Sequence, residues 1–195
     1  PAACIRRGTD NRMAHDADRR NFLRLGANKA AEIKADLASD KAAWAGDNWI
    51  RPPFAEAEQE FLTNCTRCDK CIGACEFNVI FKLPADLGHT AAGTPAMDLL
   101  NRGCHMCADW PCAAACEPDA LKLPEPDSAP DKFAHAEIDT EQCLPYQGPE
   151  CGACADSCPV DGALQWRGPR PVINADKCTG CGCCREICIT EPKSV

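Results

Sequence analysis

Cys65-Thr66-Arg67-Cys68-Asp69-Lys70-Cys71-Ile72-Gly73-Ala74-Cys75 is the stretch on which the reading of this chain turns. Its cysteines are spaced C-x2-C-x2-C-x3-C, and the pattern comes back three more times. Cys178, Cys181, Cys184 and Cys188 repeat it unchanged. Cys104, Cys107, Cys112 and Cys116 carry two extra residues in the second step, and Cys143, Cys151, Cys154 and Cys158 a longer first step. The opening cysteines, Cys65, Cys104, Cys143 and Cys178, stand 39, 39 and 35 residues apart, so a whole unit repeats. A lone C-x2-C would be a weak signal, whereas four such runs in one chain are a specific one.

Three chemistries use many cysteines, and the 18 here must be divided among them. Disulfides belong to secreted chains, and no cleavable apolar leader is visible. They also need partners that can face each other, and these cysteines sit three and four apart in runs. Structural zinc wants two cysteine pairs held well apart, and these runs are denser than that. Iron–sulfur clusters need this density. Three thiolates on one tight loop take three corners of a cubane, and the fourth, on the helix that follows, ligates the other cluster of a pair. Carried onto this chain, that two-cluster pattern gives four [4Fe–4S] clusters held crosswise. Cys65, Cys68, Cys71 and Cys116 hold the first, and Cys75, Cys104, Cys107 and Cys112 the second. Cys143, Cys151, Cys154 and Cys188 hold the third, and Cys158, Cys178, Cys181 and Cys184 the fourth. Cys183 would break the register and is read as a non-ligand. Cys4 is expected outside the folded part. Gly73, Gly152, Gly180 and Gly182 are expected to give the loops unusual backbone angles. Trp110 and Tyr146 should screen clusters from water, and His105 should pack beside its set without ligating.

The segments between the runs suggest short strands: Val79-Ile80-Phe81, Ala120–Leu123, Ala134–Ile138, Ala163–Trp166 and Pro171-Val172-Ile173. Strands around cysteine loops and one-turn helices predict a small α+β fold. Pro124, Pro126 and Pro130 crowd seven residues and place a boundary there. The expected organisation is an N-terminal extension over 1–50, a two-cluster domain over 51–126 and another over 127–195. Phe22, Leu25, Ala30, Ile33 and Leu37 recur at helical spacing, so 20–44 reads as an amphipathic helix. Met13 is a candidate start, and the short tail after Cys188 suggests that the C-terminus is cut short.

The formal net charge is −8, and bound clusters would add roughly two negative charges each. An acidic surface argues against nucleic acid and for basic patches on redox partner proteins. No run of 18 apolar residues is present, so no transmembrane segment is expected. No Gly-rich nucleotide loop, nucleophile motif or open-site ligand set stands out, so the chain reads as no enzyme.

The order of the four runs, with their two expanded loops and Cys158-Pro159, resembles the NapG/MauM-type ferredoxins over about residues 51–195. Arg51-Pro52-Pro53, Cys65-Thr66-Arg67-Cys68, Gly93-Thr94-Pro95, Cys143-Leu144-Pro145-Tyr146-Gln147-Gly148 and Cys178-Thr179-Gly180-Cys181-Gly182 support it. The chain also resembles the shorter NapF-type ferredoxins. Only the third run keeps the Cys-Pro ending. The others have Glu76, Glu117 and Ile189 after the last cysteine. The resemblance implies tandem bacterial-type two-cluster ferredoxin domains and electron transfer for periplasmic nitrate reductase or methylamine oxidation. A reductase or a membrane quinol-oxidising subunit would be the partner, in a membrane-associated complex. The alternative is a cytoplasmic accessory factor that matures a metalloenzyme. Arg19-Arg20-Asn21-Phe22-Leu23 looks like a twin-arginine export signal, which the family usually carries. The charged stretch Leu25–Lys34 that follows lacks the apolar run export requires. The expectation is a cytoplasmic or membrane-associated protein, with periplasmic export as the alternative.

Overall fold

A computed structural model describes residues 29–30, 33–34, 49–87, 90–125, 128 and 132–195. The chain divides into a unit of residues 1–41 and a unit of residues 42–195. In the first, Lys29, Ala30, Ile33 and Lys34 are helical, and the rest of the helix expected over 20–44 lies outside the described residues, as does the Arg19-Arg20 pair. The regions expected as separate domains, 51–126 and 127–195, both fall in the second unit. Among the described residues no helix is long and apolar enough to cross a membrane.

The fold is mixed and its elements are short. Helix α1, Glu58–Asn64, carries Glu58 and Glu60 in its first turn, where the helix dipole favours negative charge, and buries Phe61 and Leu62. Arg51 fixes its start. The guanidinium donates to both carboxylate oxygens of Glu58 (2.9 and 2.6 Å), to Thr94 Oγ1 (2.9 Å) and to the Pro95 carbonyl (2.8 Å). It also lies 4.7 Å from the centre of the Phe61 ring. Strand β1, Ile80–Lys82, pairs antiparallel with β2, Pro95–Met97. Ile80, Leu83, Ala96, Met97 and Leu121 join Phe61 in the main apolar core. The strand expected at Ala120–Leu123 is reduced to a bridge between Leu121 and Ala55. Two backbone bonds, Glu56 N–H to Ala120 O and Lys122 N–H to Phe54 O, flank it.

In the C-terminal part, β3, Leu164–Arg167, pairs antiparallel with β4, Arg170–Ile173. Gly168 opens their two-residue turn at φ +62°, and Pro169 completes it. Pro171 is tolerated in β4 because a two-stranded ribbon has a free edge. Ala134–Ile138 forms no strand. Its start is tied instead to the fourth cysteine loop, with Phe133 N–H donating to Thr179 O at 2.8 Å. The remaining helices are single turns inside or beside the cysteine runs: α2, Lys70–Ala74; α3, Pro111–Ala114; α4, Leu144–Gln147; and α5, Cys183–Glu186.

Candidate iron–sulfur centres

In the first, second and fourth cysteine runs the second residue after the opening cysteine takes a left-handed conformation, whereas the positive-φ residue of the third run is Gly148. In the first run Arg67 and Asp69 take positive φ, +59° and +63°; in the fourth run Gly180 and Gly182 stand at the same motif positions with +70° and +81°. Met106 does the same in the second run at +50°. Glycine is therefore convenient here and not required. The first loop accepts left-handed Arg67 and Asp69 because tertiary bonds over-determine them. Arg67 donates to the carbonyls of Ala92, Cys65 and Thr90 at 3.0, 3.2 and 2.9 Å. Gly73 and Gly152, expected to be unusual, are not among the positive-φ glycines, and Gly73 lies within α2. The conformation turns backbone N–H groups toward sulfur. Gly180 N–H donates to Cys178 Sγ (3.4 Å), and the N–H groups of Arg67, Met106 and Lys70 favour the thiolates of Cys65, Cys104 and Cys68.

The cysteines converge in fours, and each four mixes two runs. Cys75 of the first run lines one cavity with Cys104, Cys107 and Cys112 of the second. Cys188 of the fourth run lines another with Cys143, Cys151 and Cys154 of the third. Cys158 of the third run lines one more with Cys178, Cys181 and Cys184. The three have nearly equal empty volumes, ≈ 360, ≈ 350 and ≈ 340 Å³. In the remaining group, Cys71 feels the charges of Cys65, Cys116 and Cys68. Cys75, Cys158 and Cys188, each the last cysteine of its run, thus line a cavity with the first three cysteines of another run.

The thiols are hard to ionise alone. Burial, followed by neighbouring thiolates, pushes Cys71 and Cys104 up to about 11 and Cys112 and Cys184 up to about 12. A buried thiol of this kind is inert as a nucleophile and becomes a ligand when a metal supplies positive charge. Cys188 is different. Burial opposes its ionisation, but the hydroxyls of Ser194 and Thr190, each 3.3 Å away, bring it down to about 7. In the first set, Leu121 N–H donates to Cys116 Sγ at 3.3 Å. Among the described residues no group of three His, Cys, Asp or Glu converges closely enough to hold one metal ion. Four thiols around an apolar cavity, with backbone donors aimed at sulfur, fit a multi-iron cluster.

The other expected residues fall as follows. His105 stacks on Phe77 with centroids 3.7 Å apart, and its Nε2 lies 3.5 Å from Glu186 Oε2. Trp110 lines the cavity of the second set and meets Phe54 edge-on at 4.8 Å. The ring lining the third-set cavity is Trp166. Tyr146 instead braces that loop by donating from its hydroxyl to Pro171 O at 2.9 Å. Cys183 is 4% exposed, and its Sγ lies 3.4 Å from the Cys104 carbonyl. Thr179, Ser194 and Arg51 carry structural work that no spacing rule marks.

A family model described as a 4Fe-4S dicluster domain matches residues 135–189, the span of the third and fourth runs. The chain is 33% identical to the ferredoxin-type protein NapG of Escherichia coli (strain K12), over 91% of this chain and 84% of the relative. It is 36% identical to the methylamine utilization ferredoxin-type protein MauM of Methylorubrum extorquens, over 77% and 72% of the two chains. It is 39% identical to the ferredoxin-type protein NapF of E. coli (strain K12), over 72% and 80%. No solved structure matches. Binding of [4Fe–4S] clusters and ferredoxin-type electron transfer follow from this likeness together with the cysteine sets. The chain belongs to the NapG, MauM and NapF group of ferredoxin-type proteins.

Proposed function

We propose that residues 51–195 hold four [4Fe–4S] clusters in two ferredoxin-like halves, each cluster bound by a crosswise cysteine set, and relay single electrons between partner proteins. The observation that carries this reading is the trio of similar-sized cavities, each lined by four cysteines drawn from two runs. The likeness to NapG supports a relay within a respiratory or periplasmic oxidoreductase system such as nitrate reductase. Its partners would be a reductase or a membrane quinol-oxidising subunit.

The acidic residues beside the ligands lower cluster potentials only where they stay unpaired. Asp69 is bonded to Lys82 at 2.7 Å, and Glu117 is paired with Lys70. Glu186 accepts from Gly103 N–H at 3.0 Å. Glu76 and Asp109 act on Cys107 and oppose its ionisation. The second cluster therefore carries the most unrelieved negative charge and should have the lowest potential of its half. Cys68 is exposed and gives the first set a face to solvent. A basic partner docking on this acidic chain exchanges electrons more slowly as salt rises.

Anaerobically purified protein should contain roughly 16 iron and 16 acid-labile sulfides per chain, from four clusters of four. Stoichiometric zinc with little sulfide would sink the proposal. Substituting Cys181 should cut electron flow to the terminal reductase in cells. Normal flow with one cluster demonstrably missing would favour the maturation role instead. For the compartment, the charges after Arg20 support retention, and NapG-like relatives support export. A reporter active only outside the cytoplasm, fused to residues 1–50, decides between them, and retention is the expected outcome.

A further inference from the structure

We infer that the two halves exchange single electrons across one fixed seam, where Cys104 of the second run is hydrogen-bonded to Cys181 of the fourth. In that seam Gly103 and Cys183 hold the two loops in contact. This rests on the cluster assignment above and adds an order to it: first set, second, fourth, third.

The seam is a backbone-to-backbone junction. Cys104 N–H donates to Cys181 O at 2.7 Å. The Cys183 thiol donates back to Cys104 O at 3.4 Å. A Cβ on Gly103 would stand 2.7 Å from both the Cα and the Sγ of Cys183, so only glycine lets the loops meet. A Cβ on Gly182 would stand 2.9 Å from the Leu99 carbonyl, which repeats the constraint from the other side. Gly103 N–H is bonded to Glu186 Oε2 at 3.0 Å, and Arg185 Nε donates to Leu100 O at 2.9 Å. Cys104, Cys181 and Cys183 are 8%, 6% and 4% exposed, so the junction is buried.

An electron passes through bonds and hydrogen bonds more readily than through open space. The shortest bonded path between halves runs from Cys104 Sγ along its own backbone, across the N–H···O bond and out through Cys181 Sγ. The step makes and breaks no bond: the iron of one set is oxidised by one electron as the iron of the other is reduced by one. Cys183, which stands beside the ligand Cys184, is here a positioning residue. Its thiol fills the contact with Gly103 and ties the two ligand loops together.

Two double variants of the full chain, reduced with dithionite, test the order by electron paramagnetic resonance. Cys68→Ala with Cys151→Ala leaves the second and fourth sets intact, and these should show the split signal of two interacting spins. Cys107→Ala with Cys178→Ala leaves the first and third sets, which should show separate, uncoupled signals. The reverse pattern overturns the seam. Iron analysis of each variant and of the unaltered chain separates that failure from failure of the cluster reading, which would appear as iron far below roughly 16 per unaltered chain. A further variant removes no ligand. Cys183→Ala removes the thiol that contacts the Cys104 carbonyl, and it should keep the full iron content and slow electron equilibration between the halves after partial reduction, followed by freeze-quenching. Equilibration as fast as in the unaltered chain would overturn the role given to the junction.

Discussion

Residues 49–125 and 132–195 have eight run cysteines each, yet they solve the problem of a small fold differently. The first region owns an apolar core: Phe61 and Ala96 are 0% exposed, Leu121 1%, Val79 and Leu83 2%. It also owns the buried Arg51–Glu58 pair, with side chains only 9% and 15% exposed. The second region has little of this. Its buried apolar residues, among those described, are Ala163, two prolines and the cysteines Cys143, Cys181, Cys183 and Cys184. The strand β3 alternates half-buried with exposed and covers nothing large. A region this small that buries so little apolar surface needs another source of stability, and bound metal clusters are one. One half can fold around side chains, whereas the other must fold around iron and sulfide.

The largest expected effect follows directly. Cys154→Ala should weaken amide-exchange protection across β3 and β4 while the set of Cys158, Cys178, Cys181 and Cys184 still holds its cluster. Cys68→Ala should remove a cluster yet leave protection at Phe61, Ile80 and Leu121. Equal loss of protection in both halves would erase the contrast.

Next in size is Arg51→Met. It removes the donors to Glu58, Thr94 and Pro95 and leaves a carboxylate buried without its partner. Breaking one side of a buried pair costs about 3–5 kcal/mol. Thermal unfolding of the anaerobic holoprotein should show a lower midpoint for the first region, with the second unaffected until the first has melted. The comparison loses its basis if the midpoint does not move.

Glycine substitutions sharpen it further. At Gly180, φ is +70° and a Cβ would stand 2.3 Å from the Ala134 carbonyl, so Gly180→Ala strains the fourth loop and displaces Ala134. Gly73 lies in α2 with nothing within 4 Å of a Cβ. Gly73→Ala should be neutral or stabilising, by up to about 1 kcal/mol. Iron retention during gel filtration separates the two: the Gly180 variant loses iron, and the Gly73 variant keeps it.

These contrasts also mark what a reader of the sequence could see. Which cysteines line one cavity was legible, because the two-cluster pattern sends the fourth cysteine of a run to the neighbouring loop. Ile80–Lys82, Leu164–Arg167 and Arg170–Ile173 were legible within a residue or two, as apolar runs bounded by glycine or proline. Pro95–Met97 was not, since Pro-Ala-Met has poor strand propensity and is extended only because Ile80–Lys82 pairs with it. Ala134–Ile138 has the look of a strand, but its partner is the Thr179 loop and not another strand. The glycines of the runs suggested which residues bend, yet Arg67 and Asp69 bend equally, because side-chain bonds from elsewhere hold them. Gly103 carries no signal at all, because close approach to Cys183 is a property of two loops and not of either one.

The smallest expected effect probes the same contrast at one sulfur in each half. Cys116 accepts a backbone N–H from Leu121, which no side-chain substitution removes. Cys188 is approached by the hydroxyls of Ser194 and Thr190, and Ser194 is only 2% exposed. A cluster gains negative charge on reduction, and a donor to its sulfur stabilises that charge, so hydrogen bonds raise the potential. Ser194→Ala removes one donor and should lower the potential of the cluster that Cys188 is proposed to share with Cys143, Cys151 and Cys154. The other three potentials should stay where they are, and the iron content should not change. Ser194→Thr keeps the hydroxyl and should restore the potential. A redox titration followed by electron paramagnetic resonance reads all four. If the shift appears in the cluster assigned to Cys158, Cys178, Cys181 and Cys184, then Cys188 belongs to its own run's cluster and the crosswise assignment fails in that half.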